Sequence, residues 1–308
     1  MQLAESVSII VAPLTAGFLI AAIGIQGVFL IDSATFLLAV FTLWVVRIPR
    51  PAPQSGADGS RASLLRQVAF GWNYLRVRQG LVGMLILFAI VNFALGFYSA
   101  LFTPLVLSRF SAQTLGSLLS LSGLGMLAGS LVMSVWGGSS RKIWTVLGAV
   151  SLAGLGMGAV GLRPNSLLIG MGNLFLFALV PITNSSSQAI WLAKVAPDVQ
   201  GRVFAVRMMV GSAITPVAYL LAGPLADRVA EPFMASGGAL AGTVGRILDL
   251  GTGRGFGLII VLTGLVVALA PLLAALIRPI RCVELELPDV LLNGDVRAPG
   301  EAPLHPSS

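Results

Sequence analysis

Charge is scarce in this sequence. Asp, Glu, Lys and Arg make up 10% of its 308 residues, where a soluble domain carries about a quarter. It holds one cysteine, Cys282, and one histidine, His305. A lone thiol excludes an internal disulfide, and one thiol with one distant imidazole makes neither a metal site nor a nucleophile and base pair. No H-E-x-x-H, Walker loop or G-x-S-x-G run occurs. Gly156, Gly158 and Gly161 do reproduce G-x-G-x-x-G. They lie within an apolar run, with no strand before them and no acid about 20 residues on, so the dinucleotide reading fails. The basic residues are dispersed and have no aromatic platform beside them, which excludes nucleic acid as a partner. No enzyme, cofactor or metal is expected.

What the chain has is long apolar runs. Hydrophobic residues make up 56% and the mean hydropathy is +0.93. Almost every charge falls outside eight stretches: 7–23, 28–46, 81–101, 115–135, 143–162, 167–192, 203–226 and 256–277. A charge at the bilayer centre costs about 2.5–3.5 kcal/mol, and a helix of about 20 residues spans the hydrocarbon core. The fold class is therefore an all-α integral membrane protein, multi-pass and in contact with a lipid bilayer. The N-terminal run is no cleavable signal, since it lacks a basic start, carries Glu5 and exceeds a signal core in length.

Eight spans put both termini on one side. Of the 19 Lys and Arg residues, five (Arg109, Arg163, Arg228, Arg246 and Arg254) fall on the opposite side. The other fourteen, Arg47, Arg141, Lys142, Lys194, Arg202 and Arg207 among them, place both termini in the cytoplasm of a cell membrane. The net charge of +7 is mostly this topology signal.

Three segments fall outside the spans. A Pro- and Gly-rich stretch after Arg47 leads into an amphipathic helix over 64–78, with Leu65, Val68, Ala69, Trp72 and Leu75 on one face; it is expected at the headgroup surface. Asp227 to Arg254 reads as an external loop. The tail from 279 to 308, rich in Pro and acids, reads as disordered.

Weak polarity inside the runs marks the candidate site. Asn92, Ser99 and Thr103 share a face of the third run with Gly96. Asn184 and Gln188 stand one turn apart beyond Pro181, with Asn173 further back, and Ser212, Thr215 and Tyr219 share a face beside Pro216. Interrupted, polar-faced helices suit a water-accessible cavity; interhelical hydrogen bonding is the competing use. The G-x-x-x-G stripes at Gly125 to Gly129 and Gly154 to Gly158 read as close helix contacts. Asp32 is an acid inside a run, a functional candidate by default.

Several motifs are familiar. Gln200-Gly201-Arg202-Val203-Phe204-Ala205, with Ala222-Gly223-Pro224-Leu225-Ala226-Asp227-Arg228 at the end of the same run, resembles the eleventh helix of the major facilitator superfamily. Val28-Phe29-Leu30-Ile31-Asp32-Ser33 resembles the start of its sixth helix in the branch of macrolide efflux pumps and enterobactin exporters. Asn184 to Trp191, followed by Val195-Ala196-Pro197-Asp198, resembles the end of the tenth helix and the next loop.

The resemblance implies a facilitator-type helical bundle of which the chain holds about eight of twelve helices, the fifth to the twelfth. Its parts are then 1–47, the last two helices of the N-terminal half; 48–79, the linker between halves; 80–278, the six-helix C-terminal half; and the tail. It implies secondary transport, with proton-coupled efflux of small amphipathic molecules. Asn92, Ser99, Asn184, Gln188, Thr215 and Tyr219 would line the cavity, Asp32 is the candidate for coupling, and Arg141, Lys142, Arg202 and Arg207 are candidates for cytoplasmic gating. The loop at Val135 to Lys142 keeps the family's basic pair but not its aspartate. Two other readings stay open: a non-transporting fragment of such a transporter, and a permease or anchor subunit of a larger complex.

Overall fold

The computed structural model describes residues 26–27, 29–42, 61–235, 237–240, 242–249 and 251–286. The first expected span, at 7–23, lies outside them. Every described element is helical. Helix α1 (Phe29–Thr42) is apolar but short, and all its residues are exposed. Then come α2 (Arg61–Arg76), α3 (Gln79–Leu107), α4 (Ala112–Trp136), α5 (Lys142–Leu162), α6 (Ser166–Lys194) and α7 (Pro197–Leu225). A π-helical turn at Ala226–Ala230 joins α7 to α8 (Glu231–Met234), and α9 (Gly245–Leu248), α10 (Arg254–Leu276), α11 (Arg278–Arg281) and α12 (Val283–Glu286) follow. Six helices are long and apolar enough to cross a membrane: α3, α4, α5, α6, the continuous stretch Pro197–Met234, and α10. They correspond to the last six expected spans. At 1.5 Å per residue the 29 residues of α3 exceed a core about 30 Å thick, so the helix projects beyond it or tilts.

Helix ends follow local chemistry. Ser111 caps α4 by accepting the N–H of Thr114, and Asn165 caps α6 by accepting those of Leu167 and Leu168. Gly137, at φ 68°, ends α4 in the left-handed region that glycine enters without a Cβ penalty. Pro181 and Pro216 sit inside α6 and α7, which run on through them.

The packing order is α4, α6, α5, α10, α3, α7, each against the next. Small residues set the contacts. A Cβ on Gly129 would strike the Ala178 backbone, and one on Gly154 would strike that of Ala268. The G-x-x-x-G stripes thus lie at the α4–α6 and α5–α10 crossings. Between membrane helices close van der Waals approach replaces a hydrophobic drive.

Helix α2 packs along α7. Its buried face is Gly71 and Leu75 with half-buried Val68 and Tyr74, while Trp72 and Ala69 of the expected face are exposed. Gly71 explains the rotation: it lets the backbone oxygen of Arg202 press against α2. The segment expected as an external loop is partly helical and tightly tied. Arg109 pairs with Asp249 at 3.7 Å, and buried Arg254 donates to the terminal carbonyls of α5 at Gly161 and Leu162, both 2.9 Å. Within the region expected to be a disordered tail, 278–286 folds as α11 and α12 against α3 and α5; 287–308 lie outside the described residues.

Candidate functional site

A cavity of about 380 Å³ lies between α3, α5, α6, α7 and α10. That volume is in the range of small-molecule sites, about 300–1,000 Å³. Its wall is mostly apolar, with Met84, Leu87 and Val91 from α3 facing Val150, Ala153 and Met157 from α5. The polar groups converge from three helices: Asn92 on α3, Thr183, Asn184 and Ser187 on α6, and Arg207 on α7.

Helical spacing builds this polar strip. Thr183, Asn184 and Ser187 stand at i, i+1 and i+4, within little more than one turn, so they share one face of α6. Asn92 spends one amide proton on the Phe88 carbonyl at 2.8 Å and keeps its side-chain oxygen free among the described residues. Asn184 makes no hydrogen bond among them. Arg207 donates to Gln188 Oε1 at 2.9 Å and to Ser187 Oγ at 3.5 Å. Its guanidinium lies 4.9 Å from the Phe88 ring centroid and 5.3 Å from that of Trp191.

The six cavity candidates divide. Asn92 and Asn184 line the cavity; Gln188 touches it through Arg207. Thr215 is half-buried outside the lining and bonds its own helix at Gly211. Ser99 and Tyr219 are exposed outside it, Tyr219 by 49%. Arg207, grouped with the gating candidates by its place in sequence, is part of the cavity wall.

Polar residues also serve as glue, at a point one turn beyond the lining. The Tyr98 phenol donates to Asn173 Oδ1, and Asn173 Nδ2 donates to the Leu118 carbonyl at 2.7 Å and to Ser122 Oγ. Tyr98, Asn173 and Ser122 are all buried. This network fastens α3, α6 and α4 together.

The sequence that builds this bundle has counterparts among known proteins. The profile of the Major Facilitator Superfamily matches residues 1–219. The chain belongs to this superfamily. Macrolide efflux protein A of Streptococcus pyogenes is 25% identical over 238 residues, which cover 74% of this chain and 57% of that protein. Macrolide efflux protein A of Enterococcus faecalis is 24% identical over 226 residues, 70% of this chain and 68% of that one. The chain thus spans little more than half the length of the Streptococcus pyogenes relative. No solved structure matches it. The relatives agree with the branch to which the motifs pointed.

Against the superfamily pattern, the loop before α5 has its basic pair, Arg141 and Lys142, without the aspartate. A carboxylate reaches the loop from elsewhere. Glu284 on α12 accepts the backbone N–H of Lys142 at 3.1 Å and of Ile143 at 2.9 Å. The backbone oxygen of the same residue accepts from Lys194 Nζ at 2.6 Å. Arg202 stays on the surface, 4.9 Å from the Phe70 ring centroid. Asp32 is exposed on α1. Among the described residues no group of three or more His, Cys, Asp or Glu could hold a metal.

Sequence reasoning left Tyr98, Thr183 and Glu284 without a role. Tyr98 stands next to Ser99 in the sequence but faces a different side of α3, and its burial was the missing signal. Glu284 lies in an acidic stretch after the last span and gave no signal at all.

Proposed function

We propose that this chain forms the C-terminal wall of the substrate cavity of a secondary transporter that exports small amphipathic molecules, with both ends of the chain in the cytoplasm. The observation that carries the reading is the cavity, an apolar pocket between spanning helices with Asn92, Asn184 and Arg207 converging on it from three of them. An amphipathic solute needs that combination: apolar wall for its body, a few placed polar groups for orientation. The macrolide efflux relatives supply the first substrate class to try. Export against a gradient needs coupling, and Asp32 is the candidate proton carrier, an acid within an apolar run.

The test is saturable binding of two radiolabelled amphipathic solutes, a macrolide and an aromatic carboxylate, to the purified chain in nanodiscs, followed by uptake of whichever binds into everted vesicles with and without a protonophore. Binding above that of empty nanodiscs, and uptake that the protonophore stops, are expected. Absence of saturable binding of both solutes overturns the cavity reading. Uptake indifferent to the protonophore removes proton coupling, and an Asp32→Asn variant that keeps coupled uptake removes Asp32.

A further inference from the structure

The cavity wall carries a fixed positive charge. Arg207 offers five N–H donors in a planar fork, and its side chain is held by two neutral acceptors, Gln188 and Ser187. The second contact, at 3.5 Å, is at the limit of a hydrogen bond. Phe88 and Trp191 stack near the guanidinium; ring quadrupoles stabilise a cation and leave its charge in place. No carboxylate pairs with Arg207 among the described residues. The other polar groups on the lining, Asn92, Thr183, Asn184 and Ser187, are neutral.

The charge is also set away from the helix end. Gln188 lies six residues before Lys194, the last residue of α6, which is about 9 Å along the axis at 1.5 Å per residue. Arg207 is thus turned inward onto a buried tryptophan and held there, although a side chain of its length could otherwise run to the surface. A guanidinium without a carboxylate partner among the described residues, beside low-dielectric walls, favours a ligand that brings the opposite charge and disfavours one that brings the same charge. Its fork matches a carboxylate, sulfonate or phosphate with two parallel hydrogen bonds.

We infer that the cavity selects amphipathic organic anions, the anionic head seated on Arg207 and the apolar body against the walls of α3 and α5. This rests on the cavity reading above and names its substrate class. Gln188 and Ser187 are positioning residues that aim the fork into the cavity.

Three probes of one shape separate the cases: naphthalene-2-acetate, its neutral methyl ester, and the corresponding naphthylethylammonium. Binding to the whole chain in nanodiscs is measured by equilibrium dialysis against empty nanodiscs. The carboxylate is expected to bind at least about tenfold tighter than the ammonium probe. Arg207→Gln should abolish that preference, Arg207→Lys should keep part of it, and Arg163→Gln, at an exposed cation outside the cavity, should keep all of it. Gel filtration and circular dichroism of each variant check that it is folded. If the ester binds but the charged probes bind equally, the anion inference is overturned and the cavity reading survives. The same holds if the preference outlasts Arg207→Gln. If none of the three binds saturably, the cavity reading falls and takes the inference with it.

Discussion

Glu284 on α12 accepts the backbone N–H of Ile143 at 2.9 Å, in the first turn of α5. Neither Lys142 nor Arg141 provides a side-chain cap there, so the first turn would otherwise leave its N–H groups open. A carboxylate at a helix N-terminus also meets the positive end of the helix dipole. Glu284→Ala should therefore cost about 1–2 kcal/mol, combining a charge-assisted hydrogen bond with the dipole effect. Hydrogen exchange gives a local check. The amides of Lys142 and Ile143 should lose protection, and those in the middle of α5 should not. Equal protection in both proteins would mean that the contact has no energetic weight.

The Tyr98 to Asn173 bond predicts a comparable effect for a smaller change. Tyr98→Phe removes one oxygen and leaves Asn173 Oδ1 buried without its donor. An unsatisfied buried acceptor costs about 1–3 kcal/mol, although pairs between membrane helices average about 0.6 kcal/mol where the unfolded state finds other partners. A loss of about 1 kcal/mol in a detergent-unfolding titration is expected. Asn173→Leu, which strands the Tyr98 hydroxyl and takes one of two partners from Ser122 Oγ, should cost more than Tyr98→Phe. The reverse order would mean that the network is not fastened at Asn173.

These positions also show what the sequence makes legible. Length and apolarity are enough to find six spans, because a charge cannot be hidden in a bilayer cheaply. The glycine stripes announce their crossings, because only a missing Cβ lets backbones meet. The face of a polar residue within an all-apolar helix is not announced: Asn92 and Tyr219 read alike in sequence, yet one lines the cavity and the other is exposed. In water an apolar stripe marks the side of a helix that turns inward. In a membrane both sides are apolar, so that signal is absent and packing decides. Asn173 and Asn184 make the point within one helix. The first is buried glue, and the second is an unpartnered amide on the cavity wall.

The crossing of α4 and α6 should tolerate nothing larger than glycine at position 129. A Cβ there meets the backbone of Ala178, which no rotamer change can move aside. Gly129→Ala is expected to destabilise by about 1–3 kcal/mol, the usual cost of overpacking. Gly148 on α5 is the control, since a Cβ there meets nothing within 4 Å. Gly148→Ala should be neutral or stabilising by up to about 1 kcal/mol, because alanine loses less backbone freedom in a helix. Unfolding titrations of the two variants against the parent chain measure the contrast. Equal effects would mean that the stripe at Gly125 and Gly129 is not a contact surface.

Ligand binding should divide the six cavity candidates as the structure divides them. Asn92 and Asn184 both present free hydrogen-bonding groups to the cavity. A neutral hydrogen bond is worth about 0.5–1.5 kcal/mol net, so Asn92→Leu with Asn184→Leu should weaken binding of naphthalene-2-acetate about tenfold or more. Tyr219 is 49% exposed and outside the lining, and Ser99 is exposed as well. Tyr219→Phe and Ser99→Ala should therefore leave the dissociation constant within about twofold. Thr215→Val should do the same, because its hydroxyl is spent on Gly211; that variant keeps the β-branched shape and removes only the hydrogen bond. Equilibrium binding of labelled naphthalene-2-acetate to each variant measures the pattern. A tenfold loss at Tyr219 with none at the two asparagines would move the binding surface from the α3–α6 side of the bundle to the outer face of α7, and with it the role assigned to the cavity.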